Sequence, residues 1–267
     1  MRTAAAYDAG APSFDRHRAL PEGVAPAIRA ALLDSIGAKT PPRLLDIGAG
    51  TGRFGWPFAA AGDNYVGVDL SVGMLRQFVL RPTESKDKAP CLVQADGDRL
   101  PFRNATFDAV LLMHVLNAVR DWRRLVSEAA RVLHLNGHLI VGRTIAPHNG
   151  VDAQLKQRLA EILRTMCVEP YRKQSSDDAL HWLIHQYSEN QTVTAATWTA
   201  ERTPGRFLQR HRHSGQFSAL PASVKDTAML HLRDWAIARF GSLNTRFAEM
   251  FHFELTICHL SEESRIE

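Results

Sequence analysis

Through the first half of the chain, apolar residues come in short runs, and three of these runs end in an acid. Leu44-Leu45-Asp46-Ile47, Val66-Gly67-Val68-Asp69 and Cys91-Leu92-Val93-Gln94-Ala95-Asp96 each have the length and composition of a strand. The strands they predict begin near Leu44 and span Asn64–Asp69 and Pro90–Asp96, with a fourth over Ala109–Val115 and a fifth over His138–Ile145. Between the runs the apolar spacing lengthens to that of a helix. This predicts helices from Pro21-Glu22 to Ile36, from Arg53 to Ala61, from Val72 to Leu80 behind the N-cap Ser71, and from Asp121-Trp122 to Leu133. Residues 1–21 are alanine-rich and read as irregular. Strand and helix thus alternate, as in a doubly wound α/β fold with a parallel sheet. In such a sheet the three acids emerge at one edge, the carboxyl edge where ligands bind.

After Pro147 the rhythm changes. Helices are expected over 151–166 and 177–187, a β-like alternation over 192–201, and a helix start at Thr203-Pro204. A long helix then runs from Ala222 to Phe240 between Pro221 and the stop signal Gly241, and a last strand covers Met250–Leu260. The expected division is a core with an N-terminal flap (1–146), a helical lid insertion (147–190), and the closing strands of the core (191–267) carrying a second helical insertion (203–241).

The first strand breaks into Gly48-Ala49-Gly50-Thr51-Gly52. Three glycines let the backbone turn sharply and approach a ligand where a Cβ would clash, and a helix that follows directs its positive N-terminus at that ligand. Gly50-Thr51-Gly52-Arg53-Phe54-Gly55 also satisfies the dinucleotide pattern G-x-G-x-x-G, with Asp69 placed for a ribose. That register leaves Asp46, Gly48, Asp96 and the Leu100-Pro101-Phe102 turn without a use. No phosphate-loop motif G-x-x-x-x-G-K-[ST] occurs.

Taken together, the loop, the strand-end acids, Leu100-Pro101-Phe102, Phe107-Asp108-Ala109-Val110, and Arg131-Val132-Leu133 with Asn136-Gly137 resemble the class I S-adenosylmethionine (SAM)-dependent methyltransferases. Within that class they resemble the ubiquinone/menaquinone C-methyltransferase branch. The resemblance covers roughly residues 7–143. It implies a Rossmann-like, mostly parallel seven-stranded sheet with an antiparallel last strand between the fifth and sixth. It also implies SAM as cofactor and S-adenosylhomocysteine as product. Gly48, Gly50 and Gly52 are expected against the methionine part of SAM, Asp69 at both ribose hydroxyls, Met74 over the adenine, and Asp96 with Gly97 at the adenine edge, with Asp46, Ala49, Leu70 and Asp98 as further cofactor-binding residues. Tyr7 and Arg18 belong to an N-terminal pattern, Tyr7-Asp8 with Phe14-Asp15, that in the family closes over the cofactor. His114 falls where relatives contact the amino-acid end of SAM or the acceptor.

Composition narrows the function further. With 267 residues, 45% of them hydrophobic, the chain can bury a sizeable core. A net charge of +4 is mild for a nucleic-acid binder and suits an anionic ligand or substrate. Cys91, Cys167 and Cys258 lack metal-ligand spacing; two lie in expected strands, where a small buried role is the usual one, and no metal is expected. The chain has no apolar stretch of membrane-spanning length and no continuous apolar segment near its start, so a cytoplasmic protein without a membrane span is expected.

For chemistry, methyl transfer from an activated sulfonium needs alignment more than a base: orientation supplies roughly 7–11 kcal/mol, a general base ~3–5 kcal/mol. His114 is the best-placed catalytic candidate, with Tyr7, Arg143, His211 and His213 behind it. Arg206, Arg210 and His213 share one side of a basic helix and form, with Arg143, the candidate set for binding an anionic acceptor. The motifs of adenine-N and cytosine-C5 methylation and the clustered cysteines of arsenic methylation are absent. A small-molecule acceptor is the expected partner; methylation of tRNA or rRNA and a non-catalytic SAM-binding regulator are the alternatives.

Overall fold

The computed structural model describes residues 4–15, 18–37, 40–81, 89–119, 121–168, 176–187, 189–212, 217 and 220–260. In chain order the elements are α1 (Ala4–Phe14), α2 (Val24–Ser35), β1 (Leu44–Ile47), α3 (Trp56–Ala61), β2 (Tyr65–Asp69), α4 (Val72–Val79), β3 (Cys91–Gln94) and β4 (Phe107–Met113). They continue with α5 (Trp122–Val132), β5 (Leu133–Ile145), α6 (Val151–Thr165), α7 (Ser176–Gln186), β6 (Asn190–Arg202), α8 (Pro204–Arg212), α9 (Ala222–Phe240) and β7 (Phe247–His259).

The seven strands form one sheet in the order β3-β2-β1-β4-β5-β7-β6. β1 pairs in parallel with β2 and β4, β2 with β3, and β4 with β5. β7 runs against both neighbours: Asn136 N–H donates to Leu260 O (2.9 Å), Leu260 N–H to Gly137 O (3.0 Å), and His259 N–H to Glu189 O (2.9 Å). The strand order reverses between β1 and β4, and that switch point is where open α/β sheets bind ligands. β1 is buried along its whole length, the pattern of a central parallel strand covered on both faces.

Several elements differ from the sequence reading. Residues 4–14 are helical rather than irregular, and the helix is held by distant partners described below. α3 starts at Trp56, three residues later than expected, because 48–55 form the turn that carries the glycines. β5 begins directly after α5; Asn136 takes a left-handed φ of 64° and the pairing with β4 shifts between Phe107 and Ala109, so Asn136-Gly137, which precedes the expected fifth strand, lies inside it. Cys258 is buried as expected. Cys91 is exposed, since β3 is an edge strand.

Beyond Ile145 the chain divides between two compact units. The first holds α6, α8, α9, residues 197–202 of β6 and residues 247–252 of β7, with a core of Leu155, Leu159, Phe207, Met229, Leu232 and Ala236. The second holds everything else, including α7, whose Ala179, Leu180 and Leu183 join the core under α5 while Trp182 meets Trp122 at 5.4 Å between ring centroids. The segment 147–190, expected as one lid insertion, is thus split, α6 going with the helical unit and α7 with the sheet.

Candidate functional site

The loop after β1 is built by three left-handed glycines: Gly48 (φ 79°), Gly50 (φ 58°) and Gly52 (φ 76°). L-residues rarely adopt that conformation, so glycine is required for the backbone alone. Packing adds to the demand at two of them. A Cβ on Gly48 would stand 2.6 Å from Val115 Cγ2, and one on Gly52 would run into the Phe78 ring. Gly50 differs: a Cβ there meets nothing closer than Gly48 O at 3.8 Å and Asp69 Oδ2 at 4.0 Å. At Gly50, therefore, it is the left-handed φ and not a clash that calls for glycine, and its backbone lies beside the Asp69 carboxylate.

Asp69 is anchored beside Gly50. Its Oδ2 accepts from Gly50 N–H (2.9 Å) and its Oδ1 from Ser71 N–H (2.8 Å). Burial raises its carboxyl, and those amide bonds pull the other way. Ser71 caps α4 by accepting from Met74 N–H at 3.1 Å, as expected, and donates its own hydroxyl to Asp8 Oδ1 at 2.5 Å. Asp8 Oδ1 also accepts from Gly73 N–H (2.8 Å). On the other side of the loop Asp15 accepts from Thr51 Oγ1 (2.6 Å) and pairs with Arg81 Nη2 (2.5 Å), while Arg81 Nε donates to Thr51 O. α1 and the residue after it are thus bonded both to the glycine loop and to the turn after β2, and Arg53 donates to Arg18 O (2.8 Å).

Asp46 lies behind the loop, fully buried, with Tyr65 donating to its Oδ2 at 2.7 Å. Its Oδ1 has no hydrogen-bond partner among the described residues. Burial pushes the carboxyl up to about 7.

His114 sits at the end of β4 with φ 59°, a strained backbone for a non-glycine residue and a common mark of a site residue. Its ring stacks on Phe54 (5.4 Å) and leans on Phe253 (5.7 Å). Nε2 lies 2.9 Å from Thr144 Oγ1 and accepts from Thr144 N–H at 3.2 Å. Burial, then the nearby cations Arg53 and Arg18, lower its protonation to about 3, so the imidazole is neutral. Since Nε2 accepts, the proton resides on Nδ1, and the ring can offer a donor to a ligand but not a ready base.

The remaining expected residues are placed as follows. Met74 is buried, Leu70 is half exposed beside Asp69, and Ala49 is buried with its N–H on Val68 O (2.9 Å). Asp96 is exposed and accepts from Asp98 N–H (3.1 Å); Gly97 packs so tightly that a Cβ would stand 3.0 Å from Ile47 Cγ2. Tyr7 lies on α1, one residue before Asp8. The expected acceptor residues divide between the two units. Arg143 is tied to Asp177 (2.9 Å) and Glu254 (3.1 Å) in the sheet unit. Arg210 is paired with Asp152 (2.7 Å) in the helical unit, where Arg206 is exposed on the same helix; His213 lies outside the described residues. Sequence reasoning missed the second partners, Tyr65, Thr144, Thr51 and Arg81. Asp8 and Asp15 were visible in it only as a resemblance, because their bonds bridge more than 30 residues of chain.

Comparison with known proteins fits this geometry. Residues 45–141 match the family described as a methyltransferase domain. A demethylmenaquinone methyltransferase of Renibacterium salmoninarum is 33% identical over 150 residues, which cover 55% of this chain and 60% of that protein. The chain spans less than two thirds of the length of the curated relatives first matched. Among solved structures, phosphoethanolamine N-methyltransferase 2 of Haemonchus contortus, in complex with phosphomonomethylethanolamine and S-adenosylhomocysteine, superposes with a TM-score of 0.53 at 17% identity, over 98% of this chain and 61% of that one. The [4+2]-cyclase SpnF does so with a TM-score of 0.54 at 14% identity, over 96% and 94%. The chain therefore has the class I methyltransferase fold. Residues 45–141 of it are similar to a methyltransferase domain.

Proposed function

We propose that this chain is an enzyme that transfers the methyl group of SAM to a small-molecule acceptor. The observation that carries the reading is the loop of three left-handed glycines beside the anchored Asp69 carboxylate, backed by the buried Oδ1 of Asp46, which has no hydrogen-bond partner among the described residues. Those residues fit the cofactor: a carboxylate for ribose hydroxyls, a loop without side chains for the methionine portion, and acids where a cation is to be received. When bound, SAM supplies a methyl group already activated on a sulfonium. The protein's share is then to hold and align. Asp69 keeps lone pairs for two hydroxyls, Met74 and Leu70 line the side beyond it, and α1, fastened through Asp8 and Asp15, excludes water. His114 contributes a neutral ring and an Nδ1–H donor rather than a base.

For the acceptor, the names of the relatives favour a quinol-type ring methylated at carbon, and a cytoplasmic enzyme belongs to the same reading. RNA is disfavoured, since Arg210 in the basic run already has Asp152 as its counter-ion. The class I fold also carries a cyclase, so fold alone does not decide the reaction. The test is a panel of hydroquinones, catechols and amines incubated with SAM, followed by mass spectrometry. S-adenosylhomocysteine together with an acceptor heavier by one methyl group supports the reading. Tight SAM binding with no S-adenosylhomocysteine released across the panel overturns it in favour of a non-catalytic binder.

A further inference from the structure

Gly55 is the glycine of the Gly50-Thr51-Gly52-Arg53-Phe54-Gly55 run for which the cofactor reading has no task. Its φ of −76° is open to any residue, so backbone freedom does not explain it. What excludes a side chain is the Tyr65 phenol: a Cβ on Gly55 would overlap the Tyr65 hydroxyl and stand 3.1 Å from Asp46 Oδ2. Gly67 clears the other side, where a Cβ would lie 3.2 Å from the same hydroxyl. Through that slot the phenol, stacked on Phe58 at 5.9 Å, reaches Asp46 Oδ2 at 2.7 Å, with both residues buried.

We propose that Tyr65 is a positioning residue of the cofactor site: threaded through the slot left by Gly55, its hydroxyl fixes the Asp46 carboxyl behind the glycine loop and governs the charge that carboxyl presents to a cationic cofactor. The inference rests on the SAM reading above. Two titratable groups act on Asp46, both from β2: the Tyr65 hydroxyl and, at the strand end, the Asp69 carboxylate, itself tied to Gly50 and Ser71 amides. Burial raises the Asp46 carboxyl to about 7, the Tyr65 bond lowers it, and Asp69 raises it further. The phenol, buried beside two acids, is held well above its ordinary value and stays a donor. Without the hydroxyl, Asp46 stays protonated to a higher pH. A ligand bearing a sulfonium and an ammonium then meets a neutral group where the native protein offers an anion.

The test compares the native protein with Tyr65→Phe and Asp46→Asn. SAM is titrated calorimetrically from about pH 5.5 to pH 8.5, and infrared spectra of the ligand-free proteins follow the protonated-carboxyl stretch. Native affinity should fall at least about threefold as pH drops below neutral, and Tyr65→Phe should move the midpoint of that fall upward. Asp46→Asn should flatten it. In the infrared the protonated band should titrate near neutrality, be missing in Asp46→Asn, and persist to higher pH in Tyr65→Phe. Gly55→Ala, which must displace the phenol, should shift both curves in the same direction. Native-like midpoints for Tyr65→Phe in both measurements overturn the proposal. SAM failing to bind any form overturns it as well; if the infrared shift is then present, the failure lies in the SAM reading and not in the Tyr65–Asp46 contact.

Discussion

Two polar regions of this chain are equally conspicuous in sequence and are built on different terms. Around the glycine loop, carboxylates are spent on backbone amides: Asp69 on Gly50 and Ser71, Asp8 on Gly73, with Asp46 taking a buried phenol. Around α8, arginines meet acids in ordinary ion pairs, Arg210 and Arg212 with Asp152 and Asp226. The first arrangement fixes a backbone shape of left-handed glycines beside a carboxylate, whereas the second pairs side-chain charges with one another. A site is marked by groups whose local geometry is fixed while a face is left for a ligand. Density of charge alone marks a solvated surface.

The sharpest break in that contrast comes from Gly52→Ala. It combines a left-handed φ with a Cβ driven into Phe78, and should destabilise the protein by ~2–4 kcal/mol in a denaturant titration. Gly241→Ala shares the positive φ, 80°, but meets nothing within 4 Å, so it should cost clearly less. Next in size, Asp69→Ala should weaken SAM and S-adenosylhomocysteine by at least ~2 kcal/mol through loss of charge-assisted hydrogen bonds, as read by calorimetry.

His114 gives a pH-dependent effect. A histidine kept neutral in the fold and titrating near its usual value when unfolded contributes stability that is present above about pH 6.5 and lost as pH falls toward about 3. Replacement by Gln should therefore flatten the acid limb of the stability curve by up to ~1.4 kcal/mol per pH unit below 6.5, measured by urea unfolding at several pH values. The smallest effect is expected from Arg210→Ala. Removing a partly exposed partner of Asp152 should change stability by about 1 kcal/mol or less and leave SAM affinity unaltered. A tenfold loss of SAM affinity in that variant would erase the distinction between the two regions.

What could be read in the sequence follows the same division. The glycine loop and the strand-end acids were legible because three left-handed φ values admit almost only glycine and because a parallel sheet gathers its strand ends at one edge. α9 was legible to the residue, with Pro221 before it and Gly241 stopping it at φ 80°. α1 was not, since what orders it is Asp8 and Asp15 reaching partners between 36 and 66 positions away. The allegiance of α7 was hidden because its apolar face resembles that of α6, and only packing shows Leu180 and Leu183 in the same core cluster as Leu125. Arg210 looked like an anion clamp because Asp152, 58 positions away, could not be paired with it by eye. Tyr65 gave no signal: an aromatic residue opening a strand is common, and its role depends on the absent side chains of Gly55 and Gly67.

The central claim is that the loop between β1 and α3, with Asp69, receives SAM. The most direct measurement is calorimetric titration of the native protein with SAM, S-adenosylhomocysteine and NADH side by side. One-to-one binding of the first two, with NADH binding undetectably or far more weakly, is the predicted result. NADH binding more tightly than SAM would contradict it and return the Gly50-to-Gly55 run to a dinucleotide.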